Sequence, residues 1–422
     1  MKKLKVMEIR IHTVKLMSLL LILSISISSC SKDEDGTSNK PPESFNLIGV
    51  TNNAQGVDVF PSFSWQIATD PDGDNVTYNL YLNTETEQKT LYAENLTNTN
   101  YTITERLSLN SNYNWKVDAK DTQQGTVTSE TYKFSTRGLN IPNEPITSSA
   151  NFTGRYNHTS VAFNNKLWII GGTADLNFYK DVWHSQDGKT WTEATNDANF
   201  SWRTGHATVV FNNKLWVIGG YTNLSRNNDV WSSSDGSSWT LTTNEAPFSK
   251  RGSLTALIFD NKIWVIGGYD GETKKDVWYS SDGSTWTLAT DSLPFATHGR
   301  SYTVYDNKIW GIGGFGGEYK KDVWYSSDGI TWSLATNNAS FSGRLFHTCV
   351  VFDNKIWVIG GEDIDNYKND IWYSTDGINW IETTSNSAFP PRSNHTSIVF
   401  SDKIWTIGGG LGNELNDVWA FD

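Results

Sequence analysis

Phe259-Asp260-Asn261-Lys262-Ile263-Trp264-Val265-Ile266-Gly267-Gly268 is one of six near-copies in this 422-residue chain. An apolar run, an Asp-Asn pair, a second apolar run and two glycines read as two antiparallel strands joined by a tight turn. The glycine pairs begin at Gly171, Gly219, Gly267, Gly313, Gly360 and Gly408, a period of 46 to 48 residues. Such a period marks a repeat architecture, in which each unit buries its apolar face only by stacking on the next. In the third copy Ser253–Phe259 is expected as strand a, Lys262–Ile266 as b, Asp276–Ser280 as c and Thr285–Thr290 as d. Asp282-Gly283 is expected to close the c–d connection as a second two-residue hairpin.

Tryptophan completes the pattern. The pairs Trp183/Trp191, Trp231/Trp239, Trp278/Trp286, Trp324/Trp332 and Trp372/Trp380 are all eight residues apart. With the glycine pairs they resemble kelch repeats, where the glycines end the second strand, an aromatic opens the third and a tryptophan sits on the fourth. The chain departs from that family in carrying Trp where Tyr usually opens the third strand. The resemblance implies a β-propeller of six blades around an axial channel. Ser281-Asp282-Gly283 is also similar to the Asp-box of sialidases but lacks the residue between Asp and Gly, so it reads as a hairpin. The last copy stops just after Trp419, and Phe152 aligns with Phe200, which places Asn143–Thr147 at the strand-d position. This N-terminal segment is expected to close the ring in the last blade, where Pro142 and Pro145 suit an outer edge.

Two segments precede the repeats. Residues 42–138 alternate apolar and polar positions between turn residues, as in a β-sandwich. Leu109, Tyr113, Trp115, Val117 and Ala119 resemble the signature of fibronectin type III domains, which implies a corner made by the Tyr113 hydroxyl and a core position for Trp115. Asp70-Pro71-Asp72-Gly73-Asp74 offers oxygens to a hard cation. It lacks the spacing of an EF-hand, and a Pro-Asp-Gly turn explains it without an ion; no metal site and no cofactor are expected.

Residues 1–29 read as a leader, with basic residues before the apolar run Leu16–Ile27. Ile27-Ser28-Ser29-Cys30 resembles a bacterial lipobox, which implies lipidation at Cys30. The tether 30–41 begins Ser31-Lys32-Asp33-Glu34-Asp35-Gly36, similar to the export signal of Bacteroidetes-type lipoproteins shown on the outer face of the outer membrane. The expected location is therefore the outer membrane, lipid-anchored and surface-exposed. Loss of the leader removes five basic residues and one acid and takes the formal charge from −12 to −16. So acidic a chain, with no basic stripe, is not built for nucleic acid. With Cys30 acylated, Cys349 has no intrachain partner, and no disulfide framework follows.

Residues 139–422 thus form the propeller of an all-β protein, and its site is sought among residues that break the repeat. Seventeen of the 20 tryptophans hold three repeating positions and are scaffold, as are Asp181, Asp229, Asp276, Asp322, Asp370 and Asp417. The b–c and d–a loops vary and open on one side, which is the expected binding face. Sixteen residues before each glycine pair stand Arg155, Arg203, Arg251, Thr297, Arg344 and Arg392, expected largely to tie loops together. Thirteen before it stand His158, His206, Leu254, Arg300, His347 and His395, open to either a structural or a ligand role. After the glycines come Thr173, Tyr221, Tyr269, Phe315, Glu362 and Gly410, with Trp202 and Phe346 in d–a loops.

Candidate ligand-binding residues are therefore His158, His206, Tyr221, Tyr269, Arg300, Phe315, Phe346, His347, Glu362 and His395. Arginine, histidine and aromatics at a concave mouth suit a carboxylate-bearing or sugar ligand. The expected function is a surface binding module for a glycan or a protein, monomeric or part of a surface complex. Two alternatives stay open. One is a carbohydrate enzyme like the sialic-acid epimerases of the same fold, with Glu362 and Asp363 as acid and base near Arg300 and Arg344. The other is a structural lipoprotein. A copper oxidase of the galactose oxidase kind needs a cysteine cross-linked to tyrosine, whereas Cys349 reads as a small core residue inside strand a.

Overall fold

The computed structural model describes residues 38–84, 90–175, 177–223, 225–384, 387–410 and 413–422. Cys30, the leader and the first residues of the tether lie outside them. The described residues form strands and turns only, and no helix among them is long and apolar enough to cross a membrane.

Residues 42–138 make two packed sheets. One holds Leu47–Gly49, Ser62–Trp65 and Asn100–Thr102; the other orders Ala54–Val57, Tyr132–Thr136, Asn112–Lys120, Thr77–Thr84 and Leu91–Leu96. Alternation along the strands puts Phe63, Trp65, Tyr78, Leu80, Leu82, Trp115 and Val117 in the shared core. The Tyr113 hydroxyl accepts the Ser108 N–H at 3.0 Å, so a loop is pinned beside the strand that carries Trp115.

The repeats fold into five four-stranded antiparallel sheets followed by a three-stranded one. In each of the five, strands a, b, c and d follow in chain order. Strand a of each sheet lies beside strand a of the next, and Thr396–Phe400 of the last lies beside Thr159–Phe163 of the first. The a–b turns have two residues in the left-handed region, such as Asp260 (φ 47°) and Asn261 (φ 52°), as the Asp-Asn pairs require. The c–d connections are longer than the two residues expected. In the third sheet strand c is Val277–Ser280 and strand d Thr287–Thr290. Side chains hold the intervening turn: Asp282 Oδ1 accepts the N–H of Ser284 (2.8 Å) and Thr285 (2.7 Å), and Ser280 Oγ accepts that of Gly283 (2.8 Å). These bonds, that from Thr285 foremost, hold the Asp282 carboxyl down to about 2.

That turn is where neighbouring sheets meet. The strand-b indole of one sheet lies against the turn glycine of the next: a Cβ on Gly236 would come within 2.1 Å of the Trp168 ring, and one on Gly377 within 2.0 Å of Trp310. No residue but glycine fits, which accounts for Asp-Gly in the five copies that carry this turn. Among the described glycines none faces Trp357 in this way. Its fully buried ring belongs to a cluster with Val59 and Leu109 of the sandwich and Leu139 of the connection. The sandwich therefore packs against the turn side of the fifth and sixth sheets. Asp353, in an a–b turn, accepts the Leu109 N–H at 2.7 Å and an Arg106 Nη1–H at 2.9 Å.

Within each sheet a second device recurs. Arg203 is wholly buried, donating Nη1 to Asp229 Oδ1 (3.0 Å) and Nη2 to Oδ2 (2.9 Å), with the Gly219 carbonyl taking a third bond (2.9 Å). The Trp231 Nε1–H donates to the same carboxylate at 2.7 Å. Arg155–Asp181–Trp183, Arg251–Asp276–Trp278, Arg344–Asp370–Trp372 and Arg392–Asp417–Trp419 repeat it. The strand-c tryptophan is thus a strut within its sheet, whereas the strand-b tryptophan and the one before strand d pack between sheets, as Trp168 and Trp239 do in one cluster.

The last sheet receives its outer neighbour from the N-terminal side. Ile146 donates to the Val418 carbonyl (2.8 Å), Val418 to Thr147 (2.9 Å), and Asn140 to Asp422 (2.7 Å). The pairing at Thr147 is an isolated bridge and not a regular strand. Pro142 and Pro145 lack the N–H groups that a continuous ladder needs.

Asp229→Asn leaves the buried Arg203 without a counter-charge and should lower stability by about 3–5 kcal/mol in urea unfolding. An unchanged midpoint would remove the pair from this role. Asp353→Ala strips Arg106 and the Leu109 N–H of their partner. Calorimetry should then resolve the sandwich as a separate, earlier transition; a single unshifted one would mean that the apolar cluster alone joins the domains.

Candidate functional site

Because the sandwich occupies the turn side, the b–c and d–a loops form the free face. At its centre stand Asn157, Gly205, Ser253, Gly299, Phe346 and Asn394, all with φ between 50° and 61°. In this conformation five of the six N–H groups bond a neighbour round the axis. Gly205 donates to Asn157 (2.9 Å), Ser253 to Gly205 (2.7 Å), Phe346 to Gly299 (3.0 Å), Asn394 to Phe346 (3.1 Å) and Asn157 to Asn394 (3.1 Å). Outside this circle the second glycine of a pair donates to the arginine carbonyl of the next sheet, as Gly172 does to Arg203 at 3.0 Å.

Beneath the circle lies an axial cavity of about 250 Å³. His158, His206, His347 and His395 line it, each no more than 5% exposed. Three of them bond a threonine of the preceding sheet through Nε2: His206 with Thr159 (3.0 Å), His395 with Thr348 (3.1 Å) and His158 with Thr396 (3.1 Å). Their edges rest on the glycine pairs; a Cβ on Gly171 would meet His206 Cε1 at 2.9 Å. His158 and His206 leave Nδ1 buried without a partner, whereas the carbonyls of Ile312 and Ile359 lie beside His347 and His395. Burial, with the nearby arginines second, holds His158 and His395 down to about 3 and pushes His206 and His347 well below the usual range. These are neutral wedges around a small polar cavity.

The third and fourth sheets break the scheme. The d–a loop before the fourth is one residue shorter, with Thr297 in place of the arginine. Arg300, from the histidine position, takes over the aspartate: Nη2 donates to Asp322 Oδ1 (2.7 Å), Nη1 to the Gly311 carbonyl (3.1 Å) and Nε to that of Ala296 (2.7 Å). Its side chain is fully buried, so its guanidinium serves the scaffold and not the mouth. Among the described residues this seam carries neither the Gly299–Ser253 bond of the circle nor the second-glycine bond. Its b–c loops turn early, with Gly271 at φ 127° and Gly317 at φ 86°, conformations that suit glycine.

A cleft of about 730 Å³ opens at this seam, lined by Tyr269, His298, Phe315, Trp324, Lys275 and Lys320 among others. His298 packs edge-on against Tyr269 (6.3 Å) and Phe346 (5.5 Å). Arg226 lies over Tyr269 (5.6 Å) and Tyr221 (5.8 Å), so Tyr221, Tyr269, Phe315 and Phe346 form one band with His298. His298, Lys275 and Lys320 were not singled out in the sequence. The signal that could have found His298 is the missing residue before it, which moves a histidine out of register with the ring.

Glu362 lies at another seam, where its Oε2 accepts the Ser393 hydroxyl at 3.0 Å. Asp363 pairs with Lys368 (2.6 Å) and accepts the Asp365 and Asn366 N–H groups, bonds that outweigh burial and hold it down to about 2. Arg300 and Arg344 face Asp322 and Asp370, so the residues considered for acid–base work do not converge. Burial pushes the Cys349 thiol up to about 12, which keeps it protonated.

Two comparisons bear on this geometry. The KLHDC2/KLHL20/DRC7 Kelch-repeats domain matches residues 117–314 and 289–422. The solved structure of YjhT is similar in fold at 16% identity and a TM-score of 0.55, over 65% of this chain and 96% of that one. No curated protein matches the sequence.

The buried histidines make stability depend on pH. Between about 3 and 6.5 the unfolded chain binds protons that folded His158 and His395 refuse. Stability should therefore fall as pH drops through that window, each histidine steepening the fall by about 1.4 kcal/mol per pH unit. His158→Leu, which copies Leu254 of the third sheet, should flatten the slope by one such step in urea titrations from pH 7 to 4. Equal slopes would show that His158 titrates freely in the fold.

Proposed function

The chain belongs to the Kelch-repeat family, and we propose that it is a cell-surface lipoprotein whose propeller binds a carboxylate-bearing glycan at the cleft between its third and fourth blades. The observation that carries this reading is the coincidence of the seam that, among the described residues, lacks both inter-sheet backbone bonds with a wide aromatic cleft on the free loop face. Repetition elsewhere closes the seams; here a deleted residue and two glycine turns hold one open. Tyr269, Phe315 and His298 offer ring faces to a sugar, and Lys275 offers positive charge, with Lys320 paired to Glu318 (2.6 Å) beside it. Rings stacking on sugar and cations reaching carboxylate are complementary demands.

The wider architecture supports display. Six sheets arranged cyclically favour a closed six-bladed disc, and the Tyr113 corner favours a fibronectin type III-like sandwich. Strand Asn112–Lys120 runs from the propeller end of the sandwich to its far tip, where Asn39 and Lys40 bond Asp121 and Asp72. A lipid at Cys30 would tether that tip to the outer membrane, with the sandwich fixed to the turn side and the loop face outward. Binding, and not catalysis, is favoured by the absence of a converging acid–base pair among the candidate residues.

A glycan array probed with the purified protein should show acidic-glycan binding. Phe315→Ala and Lys275→Ala should each weaken it about 10-fold or more, whereas Trp202→Ala on the exposed d–a loop should not. Acidic-glycan binding indifferent to both cleft variants, or none at all, would sink the reading.

A further inference from the structure

We infer that the far tip of the sandwich is a calcium site formed by Asp70, Asp121 and Asn39. The loops 70–74 and 121–125 lie at the same end because Thr77 pairs with Lys120. Asp70 is 8% and Asp121 5% exposed. Asp70 Oδ1 accepts the N–H of Asp72 (2.9 Å) and Asp74 (3.2 Å), while its Oδ2 is buried and meets no donor. Asp121 Oδ1 accepts the N–H of Gln123 and Gly125, both at 2.8 Å, and its Oδ2 accepts from Asn39 Nδ2 at 2.9 Å. The Asn39 amide oxygen is likewise buried without a partner.

The two loops are tied into one cluster. Lys40 N–H donates to Asp72 Oδ2 (2.6 Å), and Gln123 Nε2 donates to Asp74 Oδ2 (3.1 Å). Both unmet groups are therefore oxygen acceptors in a junction holding four aspartates, where the largely exposed Lys40 ammonium reaches only Asp72, at 3.9 Å. A buried carboxylate oxygen without a donor is costly, and no rotation of the Asn39 amide cures it, because the exchanged atom would then face Asp121. A hard cation satisfies both oxygens at once. Among the described residues no group of three or more histidine, cysteine or acidic side chains is placed to hold a metal ion, so the site rests on Asp70, Asp121 and the Asn39 amide oxygen, with backbone and water oxygens completing it. Calcium accepts amide and backbone oxygens with water completing its shell. Bound there, it would clamp residues 39–40 to the sandwich and make the tip a rigid point of attachment.

The test uses the full-length protein, stripped with chelator and titrated with calcium or magnesium. Calcium near 1 mM, typical for extracellular sites, should raise the melting temperature by several degrees and magnesium at the same concentration should not. Terbium should bind with luminescence sensitised through Trp65 and Tyr78. Asp70→Asn should abolish both responses. Asn39→Ala, which keeps every aspartate, should weaken calcium binding at least 10-fold and guards against a variant that merely fails to fold. No calcium response in the parent protein, or the same response in both variants, would overturn the site and assign any binding to diffuse surface charge.

Discussion

A guanidinium sealed inside each sheet, held in five of the six by both oxygens of one aspartate and in all by a glycine carbonyl, is the constraint on which the repeats depend. Sealing a charge in this way is tolerable only with full pairing. The arginine must therefore come from the loop before strand a, the aspartate from the start of strand c, and the carbonyl from the end of strand b. One ion pair thus sets the relative position of three segments, and the indole donating to the same carboxylate aligns strand c. The glycine pair follows from the same geometry: its left-handed backbone lets the loop of the next sheet lie close enough to bond.

The proposed binding cleft lies where this constraint is relaxed. At the third seam the arginine has moved three positions along, from the place of Thr297 to that of Arg300, and still reaches its aspartate. The scaffold keeps its ion pair, but the loop that would have closed the seam is shortened, and aromatic side chains line the gap. The axial histidines illustrate the opposite case. They look like ligands in the sequence, yet each is wedged against glycine and kept neutral by burial.

The sandwich is more than a spacer. Val59, Leu109 and Leu139 cover the strand-b indole of the fifth sheet, which no turn glycine faces, and Asp353 joins the two parts by a buried ion pair. That placement leaves the loop face free and puts Asn39 and Lys40 at the far tip of the sandwich.

Much of this was legible in the residues. The period of the glycine pairs, the Asp-Asn turns, the eight-residue tryptophan spacing and the alternation of Phe63 with Trp65 all report local backbone geometry, which neighbouring residues dictate. The scaffold role of the arginines and aspartates could also be read, because identical side chains in every copy answer an identical environment. What the chain alone did not disclose were contacts between residues far apart in it: the longer c–d turns built around an indole from the neighbouring sheet, the diversion of Arg300 to Asp322, the gathering of His298 with Tyr269 and Phe346, and the docking of Leu109 beside Trp357. Periodicity by itself determined which strands form and in what order. Only tertiary packing decided which seam stays open, because that depends on bonds between sheets that one missing residue can remove.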